Sequence, residues 1–317
     1  MSAFRVAVRR FPAFESAIGK QWDAFEAVAH SGLTLELAPL DLHPLHQAIF
    51  HSAEPWDVVF LNTDWVLEAA DSNTLLDLAP YLKSDPPEGY PGAWSDSLLR
   101  FQQVDTRVLG LPYHDGPECL IYRRDLFEEA GLPAPSTWEQ FHTAARHFTN
   151  PARGLWGSVF AAYRDGHNLV YDFCLQLWTR GSDLSGLRSA AAQDALRFYR
   201  GILRDKSAVH PGCAGFDSVK SGFAFAAGEV ALMVNWFGFA AMCETLAESK
   251  VRGKVAVASV PASGGPHASL NVYWLLGIGA RCVQPATAWS FLRGARHGQA
   301  AHPRRRHRLP QIHVDGW

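Results

Sequence analysis

The chain has 317 residues, 48% of them hydrophobic and 19% charged, with a formal net charge of −2 and a pI of about 6.7. That balance belongs to a folded protein of one large or two medium domains and excludes extensive disorder. The near-neutral total leaves no electrostatic footprint for a nucleic acid or an anionic membrane surface.

In chain order, Phe4 to Val8 alternates as a strand with Phe4, Val6 and Val8 inward, and Ile18, Trp22, Phe25 and Val28 recur at helical spacing up to Gly32. Thr34 to Leu37 is a second strand. Trp56 to Leu61 is an apolar run suited to a strand covered on both faces. Strands alternating with helices predict a doubly wound α/β unit, whose ligands lie beyond the carboxyl ends of its strands; the loops of interest are then 9–14 and 62–65. Val108 to Tyr113 and Cys119 to Tyr122 are further strands, followed by a short helix from Arg124 that Gly131 stops. Ser136 with Glu139, or Thr137 with Gln140, makes a capping box for a helix burying Phe141, Ala145 and Phe148. The middle is mainly helical, over 167–179, 190–205 and 218–227. Val230 to Val234 is a strand with a loop at 235–238 beyond it, then come a helix over 239–248, strands at 255–260 and 273–279, and a helix over 285–292.

Eleven Trp and nineteen Phe exceed the needs of a core, since Trp is hard to bury completely. The five cysteines, Cys119, Cys174, Cys213, Cys243 and Cys282, form no CxxC pair, which points to reduced, buried thiols rather than zinc ligands or a disulfide framework. No run of about 18 apolar residues occurs, so no membrane span is expected. The N-terminus passes straight into a strand pattern without an apolar leader, and taken alone this predicts a cytoplasmic chain. Residues 294–317 change character: Arg304, Arg305, Arg306 and Arg308 mix with His297, His302, His307 and His313 without periodicity. This stretch reads as an irregular basic tail, a short disordered segment or the product of a shifted frame near Arg293, with a metal tract or basic anchor as the alternative.

Several segments, in order, resemble the sugar-binding type of extracellular solute-binding protein that serves ABC transporters, the maltose-binding-protein-like family. They are Asp57-Val-Val-Phe60 through Asp64-Trp65, Leu75 to Leu82, Leu111-Pro-Tyr-His-Asp-Gly116, Cys119 to Tyr122, Arg124 to Pro133, Pro135 to Phe141, Phe225 to Met233, Gly277 to Ala280 and Ala288 to Leu292. Arg123 departs from the family's usual Asn. The resemblance covers residues 4–293. It implies a two-lobed, type II periplasmic-binding-protein fold, each lobe a mostly parallel sheet flanked by helices, with hinge crossovers near 112–116 and 274–279. Residues 1–113 plus 277–293 would form lobe 1, and 114–276 lobe 2. It further implies a monomer that captures a small sugar or polyol and delivers it to an ABC permease in the membrane, without a cofactor, in the periplasm or outside the cell. The family's leader and C-terminal helices have no counterpart here, so a trimmed or misassigned start, or a cytoplasmic binder, completes that reading.

A sugar site needs flat rings against C–H faces and planar polar groups for the hydroxyls. Asp64 and Trp65 follow a central strand, and by resemblance Asp64 matches a carboxylate that accepts sugar hydroxyls; a helix N-cap is its structural alternative. His114, Asp115 and Glu118 border the first crossover, where Asp115 also suits a turn before Gly116. Trp236 matches a family position that stacks on ligand, or packs in the core. Asn271, Tyr273 and Trp274 approach the second crossover, and Phe11 follows the first strand. Phe14, Glu15, Tyr163, Arg164 and Asp165 are weaker candidates. The rival class is a cytoplasmic carbohydrate-active enzyme pairing Asp64 with Asp115 or Glu118; no GxSxG, HExxH, P-loop or GxGxxG motif supports an enzyme. A metal- or iron-binding relative with His and Tyr ligands finds no ligand spacing among the histidines.

Overall fold

The computed structural model describes residues 2–114, 116–164 and 167–294. Asp115, Asp165 and the basic tail beyond Gly294 lie outside the described residues.

The first lobe opens with β1 (Ala3–Arg9), which carries Phe4, Val6 and Val8 into the core, and α1 (Pro12–Ala29), entered through Pro12 with its preset φ. Ile18 and Trp22 are buried on α1, but Val28 is 82% exposed. Ten residues beyond Ile18, the 3.6-residue turn has carried it roughly 80° off the buried stripe. Next come β2 (Thr34–Leu40), α2 (Leu42–Phe50), β3 (Val58–Asn62), α3 (Val66–Ser72), α4 (Ala79–Ser84), α5 (Asp96–Arg100), β4 (Gln103–Val104), β5 (Arg107–Val108) and β6 (Leu111–His114). The strand expected over 108–113 is thus two. β5 pairs with β4 in a small hairpin, whereas β6 joins the main sheet. Gly110 between them touches the neighbouring strand so closely that a Cβ there would stand 2.8 Å from the Leu275 Cβ.

The second lobe holds β7 (Glu118–Arg123), α6 (Arg124–Glu129), α7 (Trp138–Phe148), β8 (Trp156–Ser158), α8 (Asn168–Trp178), α9 (Ala190–Ile202), α10 (Ser218–Ala226), β9 (Val230–Trp236), α11 (Gly238–Thr245) and β10 (Val255–Ala258). The capping box on α7 is the Thr137–Gln140 pair, with Thr137 Oγ1 accepting from the Gln140 N–H at 3.1 Å. The chain then returns as β11 (Trp274–Ile278) and α12 (Pro285–Gly294), whose Phe291 packs on Phe4 and Trp22.

The first sheet has the order β2-β1-β3-β11-β6 and the second β10-β7-β9-β8. Both are mixed, which corrects the mostly parallel sheets expected. β11 runs antiparallel to β3 and β6, and β7 antiparallel to β9 and β10. A strand that arrives from the other lobe through a short extended passage lacks the helical return that parallel pairing requires. The second crossover also shifts. Leu270 O still accepts from Glu118 N of the second sheet at 2.9 Å, while Tyr273 O accepts from Thr63 N of the first lobe at 3.1 Å. The passage is therefore 270–272, and residues 274–278 lie inside the first sheet. The other passage joins His114, paired with Trp274, to Glu118, paired with Trp236. Each sheet has its own buried cluster, one around Phe4, Phe60 and Leu276 and one around Trp138, Phe141 and Phe225.

Candidate functional site

Sheet direction places four strand ends at one edge of the first lobe. The carboxyl ends of β1, β3 and β6 meet the amino end of the antiparallel β11, with Trp274 opposite Asn62 on one side and His114 on the other. Arg9, Asn62, His114 and Trp274 accordingly form one wall of a cleft, joined by Phe11 and Phe14 from the start of α1. The second lobe supplies Asn168 and Tyr171, neighbours on one face of α8, then Trp236 at the carboxyl end of β9 and Phe239 in α11. The cleft holds about 680 Å³ of empty space, its open mouth included.

The walls touch at several points. The Arg9 guanidinium, almost completely buried, donates to Asp217 of the second lobe at 3.0 Å and to Asp41 of the first at 3.4 Å. Phe11 packs edge-on against Phe239 at 5.5 Å and belongs to the second lobe's cluster. The Trp65 indole N–H donates to His167 Nε2 at 3.2 Å, and the Tyr171 hydroxyl donates to the Asp64 carboxylate. Burial pushes the Asp64 carboxyl above its ordinary pKa, opposed by the Tyr171 hydroxyl and by His167, whose Nε2 lies 4.0 Å away. The Asp64 carboxylate therefore faces across the lobes, and the N-cap alternative fails: Asn62 Oδ1 caps this turn by accepting from Asp64 N.

Of the residues singled out from sequence, Phe11, His114, Trp236 and Trp274 line the cleft, with Phe14. Trp236 ends β9 rather than starting a loop, and its ring meets Tyr171 edge-on at 6.1 Å. Trp65 is buried, wedged edge-on against His46 and Trp274, so it backs the cleft instead of facing it. Tyr273 sits in the first lobe's core with its hydroxyl donated to Leu98 O. Glu118 is buried at the start of β7, away from the cleft; burial, and then the neighbouring Asp172 carboxylate, drives its pKa well above the ordinary value. Asn271 lies in the second passage and does not line the cleft, and its Oδ1 is buried without a hydrogen-bond partner among the described residues. Tyr163 and Arg164 are exposed, and Asp115 and Asp165 lie outside the described residues. Of the carboxylates proposed for a glycosidase, Asp64 is engaged by Tyr171 and Glu118 is enclosed in the second lobe, so that rival gains no support. The five cysteines are all free thiols, three of them buried.

Asn168 and Tyr171 escaped the sequence reading, while Arg9 and Asn62 entered it only as the first residues of the loops 9–14 and 62–65. For Arg9 the available signal was its place at the carboxyl end of the Phe4 to Val8 strand pattern. Tyr171 reads as an ordinary member of a hydrophobic helix.

Two α/β lobes joined by paired passages, with a cleft at their carboxyl-end edges, define a hinged solute-binding architecture. The sequence profile of the bacterial extracellular solute-binding proteins matches residues 9–293, and the chain belongs to that family. Putative binding proteins of Brucella abortus and Brucella suis are 24% identical over 263 residues, 79% of this chain; the chain spans 60% of the length of these curated relatives. Among solved structures, a maltose-bound MalE3 of T. maritima is similar at a TM-score of 0.81 with 25% identity, over 93% of this chain and 77% of that one. A ribitol complex of an ABC transporter solute-binding protein from Agrobacterium radiobacter has a TM-score of 0.79 at 23% identity, over 92% of this chain and 75% of that one. One from Agrobacterium vitis with bound D-mannitol reaches 0.82 at 19% identity, over 94% and 73%. Among the described residues no helix is long and apolar enough to cross a membrane.

Proposed function

We propose that this chain is the capturing component of an ABC importer, closing on a small neutral sugar or polyol outside the cytoplasmic membrane and presenting it to a permease as a monomer. The observation that carries the reading is a cleft whose rings come from both lobes, Trp274 and Phe14 from one and Trp236 and Tyr171 from the other, interleaved with the polar side chains of Arg9, Asn62, His114 and Asn168. Rings face the C–H surfaces of a sugar, and the amides and the guanidinium suit its hydroxyls. The maltose, ribitol and mannitol carried by similar proteins agree with that chemistry. We assign residues 1–114 and the segment from Tyr273 to the first lobe, and residues 118–269 to the second, with 115–117 and 270–272 as the passages between them.

The mechanism is binding coupled to hinge closure, with no bond broken. A ligand that moves the open–closed balance from 1:99 to 99:1 must favour the closed form by about 5.5 kcal/mol. Two ring platforms at about 0.5–1.5 kcal/mol each, a hydrogen bond from the Arg9 guanidinium at about 1.5–3 kcal/mol, and two or three neutral ones with Asn62, Asn168 and His114 at about 0.5–1.5 kcal/mol each reach that figure. Thermal melting against a carbohydrate and polyol library tests the reading, since a ligand specific for the folded state raises the melting temperature by mass action. At least one compound is expected to stabilise the protein, and Trp236→Ala to abolish the effect. A library without a hit, or a hit indifferent to Trp236, sinks it.

A further inference from the structure

Behind the cleft, the first lobe gathers a donor set that the sequence spacing does not announce. His46 lies on α2, His51 directly follows that helix, and Glu68 comes from α3. Their ligand atoms, one from each residue, all lie within 4.8 Å of one another. His46 Nε2 is 2.8 Å from Glu68 Oε2, and the two imidazole rings are 5.8 Å apart.

We propose that His46, His51 and Glu68 bind a divalent transition-metal ion of the zinc class. Two imidazole nitrogens and one carboxylate oxygen form a recognised three-residue zinc set that leaves the fourth position to water. Calcium and magnesium, which take oxygen ligands, are poorly served by two imidazoles. The one carboxylate gives the group the negative charge a cation needs. A His46–Glu68 ion pair alone would account for the 2.8 Å contact, but it does not require a second imidazole converging on the same point. The donors are also partly set in place. The His46 ring is held at 4.6 Å from Phe50 and edge-on to Trp65 at 5.1 Å, and His51 N donates to Gln47 O at 3.0 Å, which fixes the end of α2. A bound ion ties α2 to α3, one ring behind the cleft, because the same Trp65 donates to His167. This site is independent of the cleft's ligand.

The test is a calorimetric titration of Zn²⁺ into the full-length chain with His297, His302, His307 and His313 replaced by alanine, since those histidines offer competing nitrogen donors. Saturable uptake of one zinc per chain is expected, with His51→Ala and Glu68→Gln each weakening it about tenfold or more. Zinc should raise the melting temperature of the parent and leave that of His51→Ala unmoved, while the metal-free melting temperatures of the two agree. Co²⁺ in place of Zn²⁺ should give visible absorption bands that disappear in both variants. Absence of saturable uptake overturns the site, and so does uptake indifferent to both substitutions.

Discussion

A pair of carboxyls buried in the second lobe makes a residue-scale prediction. Asp172 on α8 accepts from the Tyr199 hydroxyl at 2.7 Å, and Glu118 Oε2 has no hydrogen-bond partner among the described residues. Burial raises both pKa values, that of Asp172 to about 7, and the Asp172 charge raises that of Glu118 further. The folded protein therefore holds these protons more tightly than the unfolded chain does. The pair's stabilising contribution is complete below the unfolded carboxyl pKa, about 4, and is lost as pH rises through about 7. Glu118→Gln removes one of the two charges. It is expected to flatten the pH dependence of melting between about pH 5 and 8 and to raise the melting temperature at pH 8 by about 1–2 °C, the equivalent of about 1 kcal/mol. An unchanged slope would locate the titrating group elsewhere.

At the scale of elements, local chemistry and close packing separate cleanly. The Thr137–Gln140 box stops the backbone N–H groups of α7 from going unpaired, and Thr137→Ala should cost about 1 kcal/mol in urea unfolding. Gly157 in β8 presses on α7: a Cβ there would meet the Ala145 carbonyl oxygen at 1.7 Å. Gly157→Ala cannot be relieved by rotating a side chain, and should cost about 3 kcal/mol or more in the same measurement. The first of these was legible in the sequence, because a capping box is a contact within four residues. The second was not, because nothing near Gly157 in sequence names Ala145 as its neighbour. The same division explains why α7 and α12 were read close to their true extents, while α2 went unread, the first turn of α1 fell in the loop expected over 9–14, and the single strand expected over 108–113 divided between two sheets.

At the scale of the whole molecule, Tyr171–Asp64 and Arg9–Asp217 are bonds between lobes, so they exist only while the lobes are together. Tyr171→Phe deletes one bridge and keeps the ring beside Trp236. Sugar or polyol affinity is expected to fall about tenfold, matching about 1.4 kcal/mol, with the unliganded melting temperature nearly constant. Small-angle scattering should show a decrease in radius of gyration when ligand is added to the parent, and a smaller one in the variant at equal ligand. Equal compaction and equal affinity would remove Tyr171 from the closing mechanism.

The sequence by itself determined the alternation of strands and helices, the capped start of α7, the family and the strand ends after which a site had to be sought, because apolar periodicity, caps and ordered motifs are properties of neighbouring residues. Only the tertiary structure decided the antiparallel return of β11, the burial of Trp65, Tyr273 and Glu118, and the meeting of Arg9 with Asp217 and of Asp64 with Tyr171. Whether a ring or carboxylate faces ligand or core depends on strand direction and on which element covers it, and those are set by contacts between residues 208 positions apart and more.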